Sequence, residues 1–165
     1  MGQRPSRGSC ACVRSAGRDE AHDCAAGTVA PARTRIAVAA LVHDGLVLLG
    51  HRHPSRRWYP DCWDLVGGHV DGGESPHRAV VRECLEELGV HIIDPSPIPI
   101  SVDDPHLEMD GFLVTRWEGE VVNAAPDEHD ELRWCAAGDL AGLGLAHPEI
   151  LPIILGALQG GDGDC

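Results

Sequence analysis

Apolar residues first gather between positions 34 and 52. Thr34–His43 (TRIAVAALVH) and Leu46–Arg52 (LVLLGHR) are both rich in aliphatic and β-branched residues. Asp44-Gly45 between them is a strong signal for a two-residue hairpin turn, because such turns need residues that tolerate a positive φ. The pattern therefore predicts a β-hairpin, with Arg52 at the end of its second strand.

A helix is predicted between Ser75 and Gly89. The Ser75 hydroxyl can cap free N–H groups, and Pro76 suits the first helical position. Gly89 tolerates the left-handed conformation that commonly follows a helix end. At about 100° per residue, five apolar side chains share one side and are expected to be buried: Val80, Val81, Cys84, Leu85 and Leu88.

The apolar runs after the helix are shorter and predict strands. Residues 90–93 begin a strand. Residues 94–100 contain three prolines and are expected at a sheet edge, since proline cannot donate to a strand ladder. Residues 107–122 predict a β segment with a kink near Gly111, ending in a hairpin-like turn.

The C-terminal part of the chain predicts one more strand and two helical segments. Residues 132–134 form a short strand, and residues 136–140 turn into a helix. An apolar terminal helix covers residues 147–158, and Pro152 must lie in its first turns. The order of elements predicts an α/β fold with a mixed sheet between helices.

Length and composition limit the classes of function. The 165 residues have room for one domain with a substantial core. The net charge of −13 argues against binding a nucleic-acid backbone, and no apolar run approaches the ~18 residues of a membrane span. The N-terminus has basic residues without the apolar core of a secretory signal. Seven scattered cysteines predict reduced thiols and a cytoplasmic enzyme.

Residues 1–32 lack hydrophobic periodicity and are expected to be a disordered extension. Four residues there have the ligand types of a zinc site, although their spacing matches none of the usual paired patterns: Cys10, Cys12, His22 and Cys24. The folded domain is expected over residues 33–159, with a loose tail over residues 160–165.

Three glutamates share the other side of the predicted helix: Glu83, Glu86 and Glu87. Like charges on one helical face repel, and the helix dipole disfavours acids near the C-terminal end. One interpretation is a solvated acidic face, with Glu83 and Glu87 weakly paired to arginines. The other is a carboxylate site for Mg²⁺ or Mn²⁺, which would cancel both penalties.

The loop before the helix favours the second interpretation. Gly67-Gly68 and Gly72-Gly73 allow sharp turns and a close approach of the backbone to a ligand. A pair between Glu74 and Arg82 could join the loop to the helix. From Gly68 to Val90 the chain, GHVDGGESPHRAVVRECLEELGV, resembles the Nudix box at every fixed position, with Cys84 where an aliphatic residue is common.

Resemblance to MutT-like Nudix enzymes over residues 34–158 implies an α/β/α sandwich that hydrolyses a phosphoanhydride with Mg²⁺, for which Mn²⁺ can substitute. Three carboxylates are then expected to be catalytic and metal-binding, with one backbone carbonyl as a further ligand: those of Glu83, Glu86 and Glu87, and that of Gly68. Glu83 is the best candidate for a second role as the base that orients water. Glu74 and Arg82 support the loop.

Substrate contacts are expected from the neighbouring loops. Arg52 matches a strand-end arginine that contacts phosphate in MutT-like enzymes, although an arginine exposed at an edge is the alternative. Trp58 and Tyr59 either stack on a base or fill the core beneath their loop. His69 stands where some of these enzymes have lysine, and Val66 stands where proline is common.

A further metal ligand is expected downstream, where MutT-like members often carry a glutamate before a strand of the Glu-Leu-Arg-Trp type. Here Ala125 occupies the matching point, so Asp127 or Glu128 would have to compensate through a loop shift. Glu128 is the candidate that we retain. A solvated acidic loop over residues 127–131 is the alternative.

The resemblance leaves the substrate open. A nucleoside triphosphate, oxidised or not, giving a nucleoside monophosphate and pyrophosphate is the first expectation. ADP-ribose or a nucleotide sugar is the alternative, and Pro105 has the spacing from the box that is typical of such members. A non-catalytic nucleotide sensor is a third hypothesis, although such domains usually lose box carboxylates. The expected partner is a nucleotide, without nucleic acid or membrane, and a homodimer is left open.

Overall fold

A seven-stranded mixed sheet forms the centre of residues 33–160, which are the residues that the computed structural model describes. The elements in chain order are β1 (Thr34–His43), β2 (Leu46–Arg52), β3 (Trp63–Asp64), β4 (Val66–His69), α1 (Pro76–Leu88), β5 (His91–Ile92), β6 (Ser96–Ile98), β7 (Leu107–Val114), β8 (Trp117–Glu118), β9 (His129–Ala136), α2 (Ala137–Leu140) and α3 (Leu151–Gly160), with a 3₁₀ turn at Pro148–Ile150. The hairpin predicted from β1, Asp44-Gly45 and β2 is confirmed.

β1 is the central strand, and its partners change along its length. It pairs with β7 in parallel over Thr34–Leu41, with β4 antiparallel over Ile36–Ala39, and with β2 only at Val42 and His43. β2 in turn pairs with β9, and β6 lies at the edge beyond β7. The expectation of an edge strand in residues 94–100 is confirmed.

The two faces of the sheet are buried by different helices. Alternate residues of β1 point to opposite faces, as the period of a strand requires. Ala37, Ala39 and Leu41 pack in the cluster that contains α1. Val38, Ala40 and Val42 pack in the cluster that contains α2 and α3. The α/β/α sandwich is therefore confirmed.

The ends of α1 are as predicted, but its buried face is not. Ser75 caps the Arg78 N–H, and Gly89 takes the left-handed conformation at φ 71°. Leu85, however, is 41% exposed. The buried face is turned toward the glutamates and consists of Ala79, Val80, Glu83, Cys84, Glu87 and Leu88. The prediction that Leu85 is buried was wrong, because two of the carboxylates occupy the side of the helix that faces the sheet.

Two further expectations for the second half of the chain need correction. The kink predicted near Gly111 is absent, because β7 keeps an unbroken register with β1 on both sides of the Val38–Gly111 pair. The strand predicted at residues 132–134 is longer and begins at His129. Pro152 lies in the first turn of α3, as expected.

Some expectations lie outside the described residues. These are the disordered extension at residues 1–32, the candidate zinc ligands Cys10, Cys12, His22 and Cys24, and residues 161–165 of the tail. Between residues 33 and 160, no helix is both long and apolar enough to cross a membrane.

Candidate functional site

A cavity of about 410 Å³ opens where the glycine loop meets two other segments. The glycine loop contributes Gly67-Gly68 and His69. The loop after β2 contributes Trp58 and Tyr59, and the turn before β7 contributes Asp104. The volume lies in the range of typical small-molecule sites.

Two of the three glutamates of α1 face this cavity. Glu83 and Glu87 line it and are 8% and 3% exposed, whereas the Glu86 side chain is 58% exposed. Burial raises the pKa of Glu83 to about 7, and the charges of Glu87 and Glu86 act in the same direction against Arg82. The site therefore concentrates negative charge in a place where water stabilises it poorly.

Gly68 leaves the space that the Glu83 carboxylate occupies. A Cβ atom on Gly68 would lie 2.5 Å from Glu83 Oε1, closer than side chains approach one another. The backbone of the glycine loop and the carboxylate can therefore face the cavity together.

Arg82 joins the glycine loop to the helix. Its Nε and Nη2 donate to Glu74 Oε1 and Oε2 at 3.3 and 3.0 Å, so the structure contains the pair expected from the sequence. Nη2 also donates to the His69 carbonyl at 2.9 Å. Nη1 reaches Glu83 at 2.7 Å and Glu86 at 3.1 Å. The hydrogen bonds from Arg82 lower the pKa of Glu74.

The donors around the cavity fit a hard divalent cation. Glu83 and Glu87 offer carboxylate oxygens to the cavity. A side chain larger than that of glycine at position 68 would fill the space beside the Glu83 carboxylate. Within residues 33–160, no three His, Cys, Asp or Glu side chains are gathered as a complete metal site. The Arg82 guanidinium also contacts Glu83 and Glu86.

Arg52 lies in the cavity wall and orders the loop after β2. Its Nε and Nη2 donate to the Trp58 carbonyl at 3.2 and 3.0 Å, and Nε also reaches the Tyr59 carbonyl at 3.2 Å. Nη1 is 3.7 Å from Asp64 Oδ2. Two of its donor nitrogens are thus engaged by the loop, and Nη1 faces a buried carboxylate.

The other predicted substrate contacts surround the opening. Trp58 is 65% exposed and lies under the Arg57 guanidinium, so its ring is available at the surface and does not fill the core. The Tyr59 hydroxyl donates to Asp104 Oδ2 at 3.1 Å. His69 is exposed at the cavity mouth.

Glu128 also lines the cavity. Its carboxylate is 3.1 Å from Arg56 Nη2. The Ala125 carbonyl accepts from the N–H groups of Glu128 and His129 at 2.9 and 3.1 Å, which folds the acidic segment back toward the cavity. This turn brings Glu128 to the cavity although Ala125 occupies the expected position.

Three buried polar residues near the site were not singled out from the sequence: Asp64, His129 and His147. His129 Nε2 lies 2.9 Å from Glu87 Oε2. Asp64 lines the cavity, and burial raises its pKa against the opposing charges of His147 and Arg52. The signal available for His129 was its place in an acidic stretch, but its partner is 42 residues away.

Comparison with known proteins agrees with this geometry. The sequence model of the NUDIX domain matches residues 33–154. The NAD-capped RNA hydrolase NudC of Stutzerimonas stutzeri is 36% identical over 104 residues, which are 62% of this chain and 37% of that protein. The 8-oxo-dGTP diphosphatase of Proteus vulgaris is 31% identical over 62 residues, 36% of this chain and 55% of that protein. The chain thus spans only 37% and 55% of the lengths of these two relatives.

A solved structure extends the likeness to the whole domain. The MutT NUDIX hydrolase from Burkholderia pseudomallei superimposes with a TM-score of 0.65 at 31% identity, over 76% of this chain and 97% of that one. Nudix hydrolases generally use divalent metal ions, in keeping with the carboxylates at the cavity. The family match over most of the chain, joined to the glutamate helix and glycine loop, shows that this protein belongs to the Nudix family.

Proposed function

We propose that the protein is a Mg²⁺-dependent hydrolase that cleaves a nucleoside triphosphate, oxidised or not, to a nucleoside monophosphate and pyrophosphate. One observation carries the proposal: the buried carboxylates of Glu83 and Glu87 face the same cavity as the guanidinium groups of Arg52 and Arg56. Carboxylates that can bind a divalent cation, next to guanidinium groups that can bind phosphate, are suited to the cleavage of a phosphoanhydride.

In the reaction, a water oxygen forms a bond to phosphorus, the anhydride P–O bond breaks, and pyrophosphate leaves with the bonding electron pair. The proton of the attacking water passes to a base. A divalent cation bound by the glutamates would supply Lewis acidity and lower the pKa of its bound water. Glu83 is the candidate base, because its buried carboxylate lines the cavity beside Gly68, next to where the glutamates would hold the cation and its water.

The remaining residues of the cavity bind and orient the substrate. Arg56 lines the cavity and can exchange its partner Glu128 for a phosphate oxygen. Arg52 would contact phosphate through Nη1, because its Nε and Nη2 are bonded to the carbonyls of the loop. The exposed Trp58 ring offers a face on which a base can stack. Glu128 lines the same cavity and is the candidate for a further metal ligand, and His69 is at the mouth.

Support for the triphosphate comes from the relative that is named a diphosphatase of 8-oxo-dGTP, and from the resemblance of the box to MutT-like enzymes. NudC, which is named for NAD-capped RNA, supports the alternative of a substrate with a diphosphate between two larger groups, such as ADP-ribose or a nucleotide sugar.

A cytoplasmic location belongs to the proposal as well, since Cys62, Cys84 and Cys135 are free thiols in the described part of the chain.

The test is a screen of nucleoside triphosphates, 8-oxo-dGTP, ADP-ribose and nucleotide sugars with Mg²⁺ or Mn²⁺, with products identified by chromatography. We expect pyrophosphate and a monophosphate from a triphosphate, and a loss of turnover in Glu83→Gln. The control is Glu118→Gln, which changes an exposed glutamate of β8. Absence of turnover with every substrate, or full activity of Glu83→Gln, would contradict the proposal.

A further inference from the structure

We propose that His129 is a positioning residue that fixes the carboxylate of Glu87 for metal binding. The inference rests on the proposed role of Glu87 as a metal ligand. It adds a residue of β9, outside the Nudix box, to the machinery of the site.

The contact between the two side chains is direct and buried. His129 Nε2 and Glu87 Oε2 are 2.9 Å apart, and each side chain is only 4% exposed. Glu87 lines the cavity, whereas His129 lies behind it at the start of β9. One carboxylate oxygen is therefore held from behind, which leaves the other oxygen for the cavity.

The other ring nitrogen shows in which direction the hydrogen bond runs. His129 Nδ1 is buried and has no hydrogen-bond partner within residues 33–160. A proton on Nδ1 would be a buried donor without an acceptor, which is costly. The tautomer with its proton on Nε2 avoids this cost and donates to Glu87, so the ring acts as a fixed donor.

Both the backbone and the opposite strand hold the ring in place. The Asn123 amide donates to the His129 carbonyl at 2.6 Å, and the His129 N–H donates to the Ala125 carbonyl at 3.1 Å. On β2, Gly50 lies under the ring, and a Cβ atom there would be 2.6 Å from Nδ1. The imidazole cannot turn away from Glu87 without leaving this close fit.

Groups that orient a metal ligand in this way set the affinity for the metal, because the ligand no longer has to be ordered when the ion binds. Without His129, the Glu87 carboxylate would be buried with one oxygen unsatisfied and free to change rotamer. The metal ion would then have to order the Glu87 carboxylate as it binds, which lowers its affinity.

The experiment measures Mn²⁺ binding to the full chain by electron paramagnetic resonance and calorimetry, without substrate. His129→Phe keeps a ring but removes the donor, and we expect its affinity for Mn²⁺ to fall roughly 10–100-fold. His129→Gln restores a donor and should recover most of the loss. In a Glu87→Gln background, His129→Phe should cause no further loss, because the partner is already gone.

Three controls separate positioning from folding. Thermal unfolding reports whether each variant folds, and Gly50→Ala, which must displace the ring, should weaken Mn²⁺ binding even if His129→Phe fails to fold. His51→Phe removes another histidine that bonds a carboxylate, Asp130, on the same pair of strands, and it should leave Mn²⁺ affinity unchanged.

The proposal is overturned if His129→Phe or Gly50→Ala folds and binds Mn²⁺ as tightly as the wild type. It is also overturned if His129→Gln binds no better than His129→Phe, or if the loss persists in the Glu87→Gln background. Because no substrate is present, a protein that hydrolyses no nucleotide can still show the predicted pattern, and the proposed function then fails alone. A wild type that binds no Mn²⁺ overturns both.

Discussion

Gly68 and Glu83 occupy the same corner of the cavity, where a Cβ atom on Gly68 would lie 2.5 Å from Glu83 Oε1. The carboxylate is held there by burial, at 8% exposure, and by a bond of 2.7 Å from Arg82 Nη1. A glycine at this position therefore determines where the carboxylate can lie.

We predict that Gly68→Ala damages activity far more than stability. The new methyl group must push the end of the Glu83 side chain away from its position, and a displacement of about 1 Å at a reacting group can lower turnover about 100-fold. The obstacle is the tip of a side chain, so we expect the free energy of unfolding to fall by no more than about 1 kcal/mol. Steady-state kinetics and urea unfolding measure the two effects.

The matched control is Gly72→Ala in the same loop, where a Cβ atom would meet nothing within 4 Å. Its activity should stay close to that of the wild type. Equal losses in the two variants would show that loop flexibility, and not the Glu83 position, is what Gly68 provides.

The sequence was sufficient wherever the signal was local. Asp44-Gly45 marks the hairpin turn, and Ser75-Pro76 and Gly89 mark the ends of α1 without any knowledge of the rest of the fold. The glycine loop and the glutamates were also recognisable, because the Nudix box places them within one continuous stretch.

Contacts between distant segments could not be read from the sequence. Periodicity assigns glutamates to the polar side of a helix, so it placed Leu85 in the core where the structure buries Glu83 and Glu87. The structure accommodates Glu83 beside Gly68 and Glu87 beside His129. The second contact depends on the pairing of β2 with β9, a relationship that no local pattern specifies.

Arg82 gives a second prediction, because a guanidinium can reach Glu74, the His69 carbonyl and Glu83 at once. Arg82→Lys keeps the charge but has a single nitrogen, so the glycine loop loses at least one attachment. We expect kcat/KM to fall by at least about tenfold through misplacement of the loop. Arg78→Lys, an exposed change on the same helix, is the control, and a similar effect in both variants would contradict the prediction.

The corrected face of α1 makes a third prediction. Leu88 is fully buried, so Leu88→Ala should lower the free energy of unfolding by about 2–5 kcal/mol. Leu85 is 41% exposed, and Leu85→Ala should change it by no more than about 0.5 kcal/mol. Urea unfolding of the two variants compares the same substitution one helical turn apart, and comparable losses would mean that the helix packs as its apolar periodicity predicted.

Asp64 leads to a prediction about pH. Burial raises its pKa, with His147 and Arg52 opposing the shift. The folded state therefore binds the proton more tightly than the unfolded state, so the contribution of this group to stability is greatest below the ordinary pKa of aspartate. That contribution is lost as the pH rises through the higher pKa of the folded state.

Asp64→Asn removes the ionisation and keeps an oxygen that can accept the Leu65 N–H, a bond of 2.9 Å in the structure. We expect the stability of the variant relative to the wild type to increase between about pH 4 and about pH 8, which brackets the range above the ordinary aspartate pKa. Urea unfolding at intervals across that range measures the difference. Asp127→Asn, at an exposed position of the acidic loop, serves as the control and should run parallel to the wild type. If the free energy of unfolding of Asp64→Asn also runs parallel to that of the wild type across this pH range, the neighbours of Asp64 stabilise its ionised form as well as water does, and the prediction is wrong.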